Sequence, residues 1–84
     1  MKRLRLTVHA EFAAAQRGIE LAWIERTARD PDWVSPDTSD PEVERRYSVI
    51  PEFGNRVLRA ACIETATEIR VVTVFFDRGA KKPS

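Results

Sequence analysis

The sequence predicts an α+β fold of order β-α-α-β-β-β, an antiparallel sheet with two helices packed on one face. Three observations carry this prediction. Val71–Phe76 (VVTVFF) is an unbroken run of β-branched and aromatic residues. A strand with no polar face wants cover on both sides, which marks it as central in a sheet. Two segments between His9 and Arg29 carry helix formers or apolar residues at helical spacing. From Glu44 onward, three extended segments are joined by connections short enough to make them an antiparallel meander.

Taken in order, Leu4-Arg5-Leu6-Thr7-Val8 alternates apolar and polar residues and reads as a short half-buried strand, with Arg3 and Arg5 suited to an edge. His9 to Arg17 (HAEFAAAQR) is rich in alanine and reads as a helix. Glu11 in its first turn and Arg17 in its last both suit the helix dipole, and Gly18 follows where a left-handed residue ends a helix. Glu20 to Arg29 reads as a second helix. Ile19, Trp23 and Thr27 form one apolar line and Leu21, Ile24 and Ala28 the next, and Asp30-Pro31 is the stop. Residues 30–43 contain three prolines and no glycine, and read as an extended surface loop anchored by Trp33 and Val34. Strands are expected over Glu44–Ile50, Val57–Ile63 and Val71–Phe76, with turns at 51–55 and 64–68. One domain spans residues 4–78, and residues 79–84 form a frayed polar tail.

Eighty-four residues suffice for one core. The composition, 43% hydrophobic and 32% charged, is that of a soluble globular protein. No apolar run approaches a membrane span, and MKRLRLTVHA lacks the apolar stretch of a signal peptide. The single cysteine, Cys62, excludes an internal disulfide, and a cytoplasmic location is the expectation. The net charge of +1 conceals a pattern. Residues 1–29 hold six Lys/Arg and three Glu, residues 30–44 hold six Asp/Glu and no Lys/Arg, and residues 45–84 hold eight Lys/Arg and four Asp/Glu. Two basic blocks therefore flank an acidic loop, which suits either a solvated surface or one basic face.

No Gly-rich phosphate loop, CxxC pair, HExxH or GxSxG is present, and the clustered aspartates lack the spacing of a calcium loop. The sequence thus calls for no cofactor and no metal. Strand alternation places Leu58, Ala60, Cys62, Tyr47 and Val49 under the helices. Arg46, Ser48, Arg59, Ala61 and Thr73 then share the open side, with Asp77 and Arg78 at the strand's end; a shift of one residue would reverse this. A mid-strand arginine needs partners for its five donors, so Arg46 and Arg59 meet either a carboxylate such as Asp77 or a phosphate ligand. His9 either transfers protons or orients the strand-to-helix junction. Arg17 either binds phosphate or compensates the helix dipole. Trp33 is a loop anchor or a stacking surface. Cys62 reads as a buried thiol.

Several segments in order carry a resemblance: His9-Ala10, Arg17-Gly18-Ile19, the Trp23–Thr27 helix leading to Asp30-Pro31-Asp32, Arg45-Arg46-Tyr47, Arg56–Arg59 and Val71–Arg78. From Leu4 to Arg78 the chain resembles the bacterial DUF4258 family of domains of unknown function. That family is in turn similar to the BrnT toxins and the RelE-like fold of small ribonucleases. The resemblance implies a RelE-like sheet, metal-independent RNA cleavage by 2′-hydroxyl attack and restraint by a cognate antitoxin. On this reading His9 and Tyr47 are the candidate acid and base, and Arg17, Arg46, Arg59 and Arg78 hold the phosphate. The chain departs from the family pattern at Ala13, where a second first-helix arginine often stands, and in its near-neutral charge. Two other readings stay open: a non-catalytic module that binds RNA or a protein, and an accessory domain whose open face makes a homodimer.

Overall fold

A computed structural model describes residues 1–83. Five strands, β1 (Arg3–Leu6), β2 (Trp33–Pro36), β3 (Glu44–Ile50), β4 (Arg56–Glu64) and β5 (Glu68–Phe76), form one sheet in the order β1-β5-β4-β3-β2. Helices α1 (Val8–Arg17) and α2 (Leu21–Arg29) pack on one face of it. Strands β2 to β5 form the antiparallel part, whereas β1 pairs with β5 in parallel, so the sheet is mixed rather than purely antiparallel. The α1–α2 excursion supplies the long crossover that a parallel pair requires.

Strand β5 lies between β1 and β4, as its sequence predicts, but its two faces are not equally covered. Ile69, Val71 and Val74 are buried under the helices, while Thr73 and Phe75 on the other face are half-buried. A bulge beside Ala61 and Cys62 keeps Val71 and Val74 on the same side, although they are three residues apart.

Local chemistry sets each boundary. Thr7 caps α1, its Oγ accepting the Ala10 N–H at 3.1 Å while donating to Val72 O at 2.9 Å, which ties the helix start to β5. Gly18 ends α1 with φ 65°, the left-handed conformation, and its successor's N–H bonds Ala14 O. Ala10, Ala13 and Ala14 let α1 approach the sheet closely, and Trp23, Ile24, Thr27 and Ala28 form the buried stripe of α2. Leu21, expected in that stripe, is 61% exposed. Ile50, Leu58, Ala60, Cys62, Val71 and Val74 complete the core, and Trp23, Phe53 and Phe76 close one end as an aromatic cluster.

One further expectation is corrected. The loop 30–43 contains strand β2, which pairs with β3 through Trp33↔Tyr47 and Val34↔Arg46. Its four residues end in Pro36, which blunts the outer edge of the sheet. The expected tail begins with a turn. The Gly79 N–H donates to Asp77 Oδ1 at 3.0 Å and the Ala80 N–H to Asp77 O at 3.3 Å, folding the chain back at the end of β5. Ser84, the last residue of that expected tail, lies outside the described residues. Among the described residues no helix is long and apolar enough to cross a membrane.

Candidate nucleic-acid interface

The register of β3 decides which arginines face the open side. Arg46 pairs with Ala60 and Ser48 with Leu58, so both lie on the helix side. Tyr47 pairs with Arg59 and Val49 with Val57, so these four share the open face. The expected orientation of β3 is therefore reversed, while that of β4 holds. Partnering explains the reversal. Arg46 is 8% exposed, with Nη1 donating to Ala28 O at 2.6 Å, Nη2 to Glu64 Oε1 at 2.6 Å and Nε to Glu44 Oε1 at 2.9 Å. An arginine this well satisfied sits beneath a helix end without stranding a charge. Burial disfavours its charge, yet the bonds it donates to Glu64 and Glu44 win, and its pKa is raised. Lys2 and then Arg46 hold the Glu64 carboxyl below its usual range.

Tyr47 is buried although it is on the open side, because β2 brings Trp33 over it. The two rings stack at 5.0 Å and 5°. Ser35 Oγ donates to Tyr47 Oη at 3.3 Å. Beside this stack, the Arg59 guanidinium lies 4.6 Å above the Phe75 ring, with Nη1 donating to Asp77 Oδ2 at 3.1 Å. Arg45 donates through Nε to Asp37 Oδ1 at 3.1 Å. That carboxylate also accepts from the Ser39 and Asp40 backbone, and the Ser39 bond heads the causes that lower it to about 2.

These residues surround a cleft of about 390 Å³ bounded by Trp33, Arg45, Tyr47, Arg59, Asp77 and Lys81. A second cleft of similar size adjoins it across the Asp77–Ala80 turn, with Arg56 and Arg78 on its walls. Arg56 lies 4.6 Å over the Phe53 ring. The two clefts together are lined by Arg45, Arg56, Arg59, Arg78 and Lys81, against the carboxylate of Asp77 on their walls and that of Asp37, to which Arg45 donates. Such a concentration of positive charge is hidden by the net charge of the chain.

Of the candidate site residues, the structure brings together Tyr47 and Arg59, with Arg78 next door. Arg46 is on the opposite face, held by carboxylates and a carbonyl. His9 and Arg17 are exposed on α1, which packs against the other face, and neither borders the two clefts. The sequence reading missed Arg45, Arg56 and Lys81. Arg45 had a signal, since it neighbours Arg46 in a strand whose alternation puts one of the pair outward; Arg56 has the inward parity of Leu58 and reaches its cleft only from the start of β4, and Lys81 becomes legible only when the chain turns back at Asp77. Cys62 is buried under α2 and its thiol is pushed up to about 11 by that burial, so it stays protonated. Among the described residues no group of three His, Cys, Asp or Glu is placed to hold a metal ion.

No curated protein and no solved structure matches the chain. A family model, Domain of unknown function (DUF4258), matches residues 6–76, which is most of the sequence. The chain belongs to the DUF4258 family.

Proposed function

We propose that the protein is an RNA-binding module that takes a phosphate backbone along the clefts between β3, β4 and the Asp77–Ala80 turn. One observation carries this reading: Arg45, Arg59 and Lys81 line one cleft and Arg56 and Arg78 the adjoining one, five cations against the carboxylates of Asp77 and Asp37, beside a Trp33–Tyr47 stack. Arginine and lysine supply the phosphate contacts, and aromatic planes suit unpaired bases. The acidic segment 37–44 is folded on itself around Asp37, whose carboxylate also accepts from Arg45 on the cleft wall.

The test is fluorescence anisotropy with a mixed-sequence single-stranded RNA across a salt series. Arg59→Ala weakens binding and lowers the slope of log K against log salt by roughly 0.7–0.9 if one phosphate contact is lost. An unchanged slope refutes the reading.

A second reading, a toxin-like endoribonuclease using 2′-hydroxyl attack, is favoured by Tyr47 standing across the ladder from Arg59. Its proton-transfer pair is incomplete, because His9 is on α1 and outside the cleft. RNA cleavage that persists in EDTA and falls roughly 10²–10⁴-fold in Tyr47→Phe would establish it. The same loss in His9→Ala, with binding intact, would place the acid or base on the helix instead.

A further inference from the structure

Arg59 is not free to meet a ligand. Its Nη1 donates to Asp77 Oδ2 at 3.1 Å, and its Nε is buried with no partner among the described residues. Its side chain and that of Asp77 are 22% and 21% exposed, so the pair is largely covered and still reachable. Asp77 is fixed from several directions. Its N–H donates to Val57 O at 2.9 Å, its Oδ1 accepts the Gly79 N–H at 3.0 Å, and its carbonyl accepts the Ala80 N–H at 3.3 Å. The backbone thus aims one carboxylate oxygen at the guanidinium. A carboxylate there uses the donor fork that a phosphate would use.

We propose that Asp77 is a built-in competitor, a specificity-determining carboxylate that a ligand must displace from Arg59. The proposal rests on the reading that the cleft takes phosphates, and it narrows that reading to polyanions. A ligand bearing one carboxylate exchanges like for like with a group already tethered at high effective concentration, and gains little. A run of phosphates meets Arg78 and Lys81, on either side of the Asp77–Ala80 turn, in the same event, and those contacts offset the cost of parting Arg59 from Asp77. Displacement also frees Arg59 Nε, a buried donor that the closed arrangement leaves unsatisfied among the described residues. Asp77 keeps its place in the turn through Oδ1 and the backbone, so the exchange needs movement of the arginine and not unfolding of the tail.

The experiment compares wild type, Asp77→Asn and Asp40→Asn with two probes, a labelled single-stranded RNA and inorganic tripolyphosphate. Asp77→Asn retains an acceptor for the Gly79 N–H and removes the charge. It is expected to bind both probes about two- to fivefold more tightly, the equivalent of about one charge pair. Asp40→Asn makes the same change of net charge in the acidic loop and changes affinity less than about twofold. In an Arg59→Gln background, Asp77→Asn gains no more than Asp40→Asn. If Asp77→Asn unfolds, Asp77→Ser replaces it, since serine also offers the turn an acceptor. A gain no larger than that of Asp40→Asn, or one that persists without Arg59, overturns the proposal. RNA bound by wild type with no gain in Asp77→Asn removes the competitor and leaves the RNA reading. Tighter tripolyphosphate with no RNA binding by any variant does the reverse. No binding of either probe by any variant overturns both.

Discussion

Replacing Arg46 with methionine removes the guanidinium while keeping a similar unbranched stem, and its cost can be worked from the contacts. Helix α2 ends at Asp30 without a glycine, so its last carbonyls need outside donors. Ala28 O receives one from Arg46 Nη1 at 2.6 Å, deep beneath the helix. Leaving that carbonyl unpaired costs about 1.5–3 kcal/mol, the range for a bond to a charged donor. The pairs to Glu44 and Glu64 add less. Those carboxylates are 46% and 35% exposed and regain water when the arginine goes, so roughly 0.2–1 kcal/mol each is appropriate. The total is about 2–5 kcal/mol. For 84 residues an unfolding entropy of about 2.1 cal/mol/K per residue turns this into a fall in Tm of roughly 10–30 °C. Thermal unfolding followed by circular dichroism measures it. RNA affinity, measured well below the transition, is expected to stay within about twofold of wild type. A Tm within 2 °C of wild type combined with weakened RNA binding would refute this reasoning and return Arg46 to the phosphate site. Arg46→Lys does not restore the stability, because one ammonium cannot reach three acceptors in different directions with fork geometry.

Ser48 Oγ is buried without a partner, so Ser48→Ala should leave Tm unchanged or raise it, equivalent to up to about 1 kcal/mol, in the same melt. Gly18→Ala meets nothing within 4 Å at the new methyl, yet forces an L-residue to φ 65°; a loss of about 1 kcal/mol, read from urea midpoints, is expected from the backbone alone. Cys62 should resist a thiol reagent in the native protein and react once urea unfolds it, at a rate set by opening. Its folded pKa, about 11, lies above the unfolded value, so the unfolded state loses its proton first. The stability Cys62 contributes is complete below about pH 8.5 and declines as pH rises towards 11, which urea titrations in that window can follow.

Much of the fold was legible because it rests on local rules. The VVTVFF run could only be an inner strand, the alanine-rich segment could only approach a sheet closely as a helix, and Gly18 and Asp30-Pro31 mark both helix ends. Strand β2 was hidden because WVSP is too short to show a period; it exists because β3 offers an edge and Tyr47 a ring to stack on. The parallel place of β1 was hidden for a related reason, since a crossover of two helices does not say which edge the chain returns to.

The basic character of residues 45–84, the lack of a metal or phosphate-loop motif and the presence of isolated strand arginines follow from the sequence by itself. Which arginine faces outward does not. In ERRYSVI the two alternating sets, Arg45/Tyr47/Val49 and Arg46/Ser48/Ile50, carry an arginine each and differ little in apolarity. Hydrophobicity alone turns Tyr47 and Val49 inward. The tertiary structure does the opposite, because Ala28 O, Glu64 and Glu44 together can satisfy Arg46 under the helices, while Trp33 can bury Tyr47 on the open side. Both solutions depend on Ala28, Glu64 and Trp33, partners 14–18 residues away in sequence, and a strand's own period contains no information about them.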